Sequence, residues 1–309
     1  MLAQINPLRL MDQISSFLVA LIPVLAWGTW LTPSQNVRFK NQQIKTFYVA
    51  VANLALAFVV TIAVNGFVQL TPTTFWPPFI GGLIWALSAF CAFTGTNKIG
   101  MVRAFGIWAP LNILVSIFWG RLLFDEFLNT GALNLVLTIL AVAVMIIGIL
   151  MIIFARGAGE RSRNQQTFLI GLLSALGAGV LWGTYFIPIK LAGVSMWVGG
   201  FPLAVGIFVG STLLALLGWQ SPKLEQRKDY FRVCLTGLLW GIGNYGMLLL
   251  VERLGAGKGF TIAQLSVVVA ALVGIYWLKD PPPRTRAATL TLLGCVLATF
   301  SGIILGNLK

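Results

Sequence analysis

One phrase occurs twice in the chain, as Trp27-Gly28-Thr29-Trp30-Leu31-Thr32-Pro33 and as Trp182-Gly183-Thr184-Tyr185-Phe186-Ile187-Pro188, 155 residues apart in a total of 309. The same offset pairs Trp85 with Trp240, Gly100 with Gly255, Arg103 with Lys258, Phe105 with Phe260 and Asp125 with Asp280. A single register held from residue 27 to residue 125 is the mark of an internal duplication. Whatever this chain folds into must therefore be built from two related halves. The expected division is residues 1–157, a hydrophilic linker at 158–166, and residues 167–309.

Both copies of the phrase lie in long apolar stretches. The sequence is 58% hydrophobic and 9% charged, and its mean hydropathy of +0.90 is that of a membrane protein. A hydrocarbon core roughly 30 Å thick takes about 20 apolar residues per helix. Ten such spans are predicted, at residues 16–34, 46–67, 79–96, 102–124, 133–154, 167–190, 196–219, 233–251, 260–278 and 287–305. All are read as helices, because lipid offers no partner to open backbone. The expected fold class is an all-α integral membrane protein of ten transmembrane helices in two five-helix repeats.

Five spans is an odd number, so the second repeat must enter the membrane inverted. The charges check this independently. The connections after spans 1, 3, 5, 7 and 9 hold fifteen Lys and Arg, whereas the opposite side holds Arg9, Arg121, Lys190, Arg253, Lys258 and Lys309. Basic loops face the cytoplasm. Both termini are then expected outside, in a multi-pass protein of the cytoplasmic membrane. The net charge of +13 belongs to this topology and not to nucleic acid.

Several motifs carry less than they suggest. Gly241-Ile242-Gly243-Asn244-Tyr245-Gly246 matches a dinucleotide fingerprint, but it sits inside a span with no preceding strand. Close helix packing through small residues, with Gly237 one turn earlier, accounts for it. The chain has no His, and Cys91, Cys234 and Cys295 form no CxxC pair, so a metal, a disulfide framework, a cofactor and an enzymatic role are not expected.

The polar residues inside spans are more informative. Asn53, Asn112, Asn244, Gln264, Thr29 and Thr184 sit where an unpaired polar group is costly. Trp27, Trp30, Trp85, Trp108, Trp182, Tyr185, Trp240 and Tyr245 accompany them. Flat apolar faces and amide or hydroxyl groups, without buried charge, suit a small neutral polar solute of the polyol type. Packing between helices is the competing explanation. Arg103 and Lys258, at equivalent span starts, either snorkel to headgroups or line the two mouths of a pathway. Pro33 and Pro188 are candidate hinges. Three readings remain open on the residues alone: a sugar carrier between two inverted halves, an exporter of amphipathic metabolites or drugs, and a non-transporting scaffold.

The 5 + 5 plan and the acidic end of span 4, Leu122-Leu123-Phe124-Asp125-Glu126, resemble the drug/metabolite transporter superfamily. Within it, WGTYFIPIK at 182–190, GLLWGIGNYGMLLLVERLG at 237–255 and KGFTIAQLSVVVAALVGIYWLKD at 258–280 resemble the glucose/ribose porter family of bacterial glucose uptake proteins. The resemblance spans nearly the whole chain and implies uptake of a monosaccharide by alternating access, with a proton as candidate coupling ion. It carries the binding role onto Trp182, Thr184, Trp240, Asn244 and Gln264, with Pro188, and onto Trp27, Thr29 and Pro33 as first-half partners. Ala89 stands opposite Asn244 and Ala109 opposite Gln264, so the implied site is weighted to the second half. Glu252 is the candidate coupling carboxylate. Lipid surrounds the bundle, and Gly302 with Gly306 could pack a helix within the chain or from a second copy.

Overall fold

Because hydrocarbon leaves the backbone only itself to bond with, long helices dominate. The computed structural model describes residues 7–124, 131–155, 165–254, 259 and 262–308, with side chains from residue 18 onward. In chain order the helices are α1 (Pro7–Thr29), α2 (Gln42–Ala63), α3 (Pro72–Ile99), α4 (Met101–Leu123), α5 (Ala132–Phe154), α6 (Gln165–Trp182), the short α7 (Ile187–Leu191), α8 (Met196–Leu217), α9 (Arg227–Leu254), α10 (Leu265–Leu272) and α11 (Arg286–Asn307). The described residues contain no strand. Among the described residues, eight stretches are long and apolar enough to span a membrane, with shorter apolar helices at Leu18–Ser34 and Leu265–Trp277. The fold is that of an all-helical integral membrane protein.

Two spans expected as unbroken are interrupted inside the repeated phrase. α1 stops at Thr29 and gives way to a 3₁₀ turn at Thr32–Ser34, while α6 stops at Trp182 before α7 resumes. Proline is the cause: Pro33 and Pro188 have no N–H to give, and each ring crowds the carbonyl four residues back. The Thr29 and Thr184 hydroxyls donate to the Leu25 and Val180 carbonyls at 2.7 and 2.8 Å, closing both helix ends alike. α10 also changes pitch, into a π-helical turn at Val273–Trp277.

Other helices run longer than hydropathy suggests. Thr71 and Thr74 form a capping box and Pro72 fits the first turn, so the Thr/Pro-rich 69–78 stretch largely belongs to α3. α9 begins at Arg227, with Asp229 placed favourably in its first turn. Lys45, counted in sequence with a basic connector, instead turns inward from α2. It is buried, with its ammonium 4.6 Å from the Phe93 ring centroid.

Packing crosses between halves. α3 lies along α6 and α8, and α9 lies along α1 and α2; α4 packs on α6, as α10 does on α1; α2 meets α8, and α5 meets α11. Glycines permit the closest crossings. A Cβ at Gly82 would lie 2.2 Å from the Leu203 carbonyl oxygen, one at Gly206 2.1 Å from that of Phe79, and one at Gly237 2.3 Å from that of Val49. The dinucleotide-like motif is packing of the same kind, with Gly241 against Leu56 and Asn53, Gly243 against Trp27, and Gly246 against Ile22.

On the face carrying the α1–α2 and α3–α4 connections, polar ties bind the loops together. Asp280 accepts the Met101 N–H at 3.0 Å, Arg232 Nε donates to the Pro33 carbonyl at 2.8 Å, and Tyr48 donates to that of Pro222 at 2.9 Å. Gly100, at φ +87°, leaves room that a side chain would take from the Asp280 carboxylate.

Gly206→Ala should lower the melting temperature of the detergent-solubilised protein by several degrees, since overpacking a helix crossing costs about 1–3 kcal/mol or more. Gly177→Ala, where the nearest atom to the new Cβ is the Cys91 sulfur at 3.7 Å, should not.

Candidate functional site

α4 and α9 each turn one stripe inward. On α4 the stripe is Phe105, Trp108, Ala109, Asn112, Ile113, Ser116 and Ile117; on α9 it is Trp240, Asn244, Met247, Leu248 and Val251. These are helical spacings of three and four, so each set shares a face. Between the stripes lies a cavity of about 410 Å³, completed by Trp27 and Trp30, Trp85, the α6–α7 break, α10 and the end of α11. It runs from the midplane tryptophans towards Ile117, Lys190, Met196, Val251 and Gly306. Those residues lie at the face opposite the Asp280–Met101 tie. Towards that tie the bundle is filled by Leu31, Phe93, Ile99 and Met101, all buried.

The floor is an indole cluster. Ring centroids lie 4.4 Å apart for Trp85 and Trp240, 5.4 Å for Trp108 and Trp182, 6.0 Å for Trp85 and Trp182, and 6.1 Å for Trp30 and Trp182. Trp27 Nε1 donates to the Trp240 carbonyl at 3.2 Å. Amides and hydroxyls ring the space above: Asn112, with Ser116 Oγ 3.3 Å from its Oδ1, and Asn244, Gln264, Ser266 and Tyr185. Lys190 lines the outer end, its ammonium 3.9 Å from the Phe124 ring centroid. No carboxylate is among the described lining residues. No group of potential metal ligands occurs among the described residues.

Of the residues singled out in the sequence, Trp27, Trp30, Trp85, Trp182, Tyr185, Trp240, Asn244 and Gln264 meet at this cavity. Thr29 and Thr184 do not line it; the Thr184 hydroxyl also accepts from Trp119 Nε1 at 3.0 Å. Pro33 and Pro188 do not line it; they stand at the helix breaks, where the Pro33 carbonyl accepts from Arg232 Nε at 2.8 Å. Arg103 is buried away from both mouths, donating to the Ile99 carbonyl at 3.2 Å and that of Ala155 at 2.6 Å, where it closes the ends of α3 and α5. Glu252 accepts from Trp197 Nε1 at the exposed end of α9, one residue beyond the lining Val251. Lys258 lies outside the described residues. Gly302 and Gly306 both face the cavity, so this small-residue face is used within the chain.

Trp108 and Asn112, named with the same set in the sequence, also line the cavity, whereas Asn53 and Tyr245 do not. Ser116, Ser266 and Lys190 line it too and were not singled out as binding residues. The signal for Ser116 was its four-residue spacing from Asn112, hidden because the rest of the α4 stripe is apolar.

A family model described as "Sugar transport protein" matches residues 18–308. A protein of Enterococcus faecalis, provisionally named a sugar uptake protein, is 27% identical over 299 residues, covering 95% of this chain and 99% of its own. A "Probable glucose uptake protein GlcU" of Bacillus cereus is 26% identical over 295 residues, covering 94% and 98%. One solved crystal structure, 19% identical, shares the fold with a TM-score of 0.62 over 94% of this chain and 97% of that one.

The cavity makes a simple accessibility prediction. With Cys91, Cys234 and Cys295 replaced, Ser116→Cys should react readily with a small polar maleimide. Ser88→Cys, fully buried against the Ala178 carbonyl, should react at least tenfold more slowly; equal rates would contradict the cavity's position.

Proposed function

The chain belongs to the sugar transport protein family, and on that premise we propose that it takes up a monosaccharide of the glucose type across the cytoplasmic membrane by alternating access. One observation carries the reading: the cavity between the two halves pairs indole faces with amides and hydroxyls and contains no described carboxylate. A pyranose has C–H faces that lie on aromatic rings and a rim of hydroxyls that need amide partners. The names of the relatives speak for uptake of sugar. Trp30, Trp85, Trp182, Tyr185, Trp240, Asn244 and Gln264 are the proposed contacts, joined by Trp108 and Asn112; Trp27, also expected as a contact, lines the wall with its N–H already held by the Trp240 carbonyl. Thr29 and Thr184 act through the helix breaks that they close.

The halves are proposed to be inverted five-helix repeats, residues 1–157 and 167–309, of the drug/metabolite transporter kind. Support comes from the shared register of 155 residues and from the exchange of packing partners, α3 with α6 and α8 as α9 with α1 and α2. The distribution of Lys and Arg supports termini outside the cell. The cavity then reaches outward, and the Asp280, Arg232 and Tyr48 ties close the cytoplasmic side. The breaks before Pro33 and Pro188 serve as hinges, and Glu252 is the carboxylate for a proton step. Lipid covers α5, whose Leu133 and Ile139 face outward.

The test is uptake of labelled glucose into vesicles, with and without an imposed pH gradient. Asn244→Ala should reduce saturable uptake by at least tenfold while the folded protein persists. Gradient-driven entry lost in Glu252→Gln would support coupling through that residue, and gradient-independent entry would make the chain a facilitator. Normal flux in the Asn244 variant, or no saturable flux in the parent, would overturn the reading.

A further inference from the structure

Trp27 and Trp182 stand at the same place in the two repeats, yet their indoles are treated differently. Trp27 lies over Gly243, where an added Cβ would come within 2.4 Å of its Cδ1, and its N–H reaches the Trp240 carbonyl. The position equivalent to Gly243 is Ser88, and the carbonyl equivalent to that of Trp240 belongs to Trp85. Ser88 is fully buried and fills the space that Gly243 leaves empty, its hydroxyl donating to the Ala178 carbonyl at 2.9 Å. Trp182 has no glycine to lie on. Its ring instead joins Trp30, Trp85 and Trp108 at the cavity floor. There it is 7% exposed, and its Nε1 is buried with no hydrogen-bond partner.

A buried donor left unpaired is a standing cost that any acceptor brought to it relieves. The repeated phrase supplies two such donors: the one beside Gly243 is paired, and the one in the copy with Ser88 is not. We propose that the Trp182 indole N–H is the donor that reads one hydroxyl of the transported sugar, whereas Trp27 is a structural pin between α1 and α9. This rests on the sugar-carrier reading and deepens it. The two tryptophans of the repeated phrase have separated into one that recognises and one that holds. Recognition through a single unpaired donor is also selective, because a sugar lacking the matching oxygen leaves the N–H as it was.

The experiment measures glucose uptake and its inhibition by each monodeoxyglucose in turn. Trp182→Phe should raise the KM for glucose about five- to tenfold, the worth of one hydrogen bond. That penalty should vanish for the one deoxy sugar that lacks the oxygen being read. Trp27→Phe should lower the melting temperature of the purified protein, and any change in KM should be the same for glucose and for every deoxy sugar. To guard against misfolding of the Phe variant, benzothienylalanine incorporated at 182 keeps the bicyclic shape without the N–H, and it should reproduce the same pattern. A Trp182 penalty equal across the panel, an unchanged KM at Trp182, or a Trp27 penalty that vanishes for one deoxy sugar would overturn the assignment while glucose uptake itself stands. Absence of saturable uptake in the parent protein would sink the carrier reading as well.

Discussion

In hydrocarbon every backbone N–H and C=O must find its partner inside the protein, and the rest of this structure is arranged around that demand. Straight helices meet it alone. The two places where the ladder is interrupted, after Thr29 and after Trp182, lie beside the central cavity and are closed locally by threonine hydroxyls. The irregular backbone thus carries Trp30, Tyr185 and Phe186 to the cavity wall. The same demand explains Arg103, which spends its guanidinium on carbonyls at the ends of α3 and α5.

The cavity is chemically lopsided although its scaffold is duplicated. Asn244 and Gln264 face Ala89 and Ala109 across the repeat, and Gly243 faces Ser88. One half supplies most of the amides, and the other supplies Asn112 from a different turn of α4. Such an uneven lining suits a sugar, since a pyranose presents a different oxygen at each edge.

The sequence made the architecture legible because hydropathy and the 155-residue register are long-range signals that local detail cannot erase. Seven of the ten expected spans appear as continuous helices among the described residues, and most of the tryptophans picked out in mid-span meet at one cavity. Helix ends were less legible. Pro72 with Thr71 and Thr74 looks like a turn by composition but is a capped helix start. Lys45 and Arg103 look like headgroup cations, yet both are buried, because an aromatic face and free helix-end carbonyls can host a cation that composition assigns to water. The α4 stripe was hidden for the opposite reason: in an apolar helix the lining and lipid faces have the same hydropathy, and only Asn112 and Ser116 break it.

The glycine crossings have a mechanical consequence. Where Gly82 meets the Leu203 carbonyl, Gly206 that of Phe79 and Gly237 that of Val49, helices from different halves touch main chain to main chain with no side chain between them. Such a crossing has no lubricating layer. Sliding by one residue would drive the next Cβ into a carbonyl oxygen, whereas pivoting about the point of contact displaces almost nothing. Any movement at these crossings would therefore be a rotation about the points of contact, as of levers on fixed fulcra.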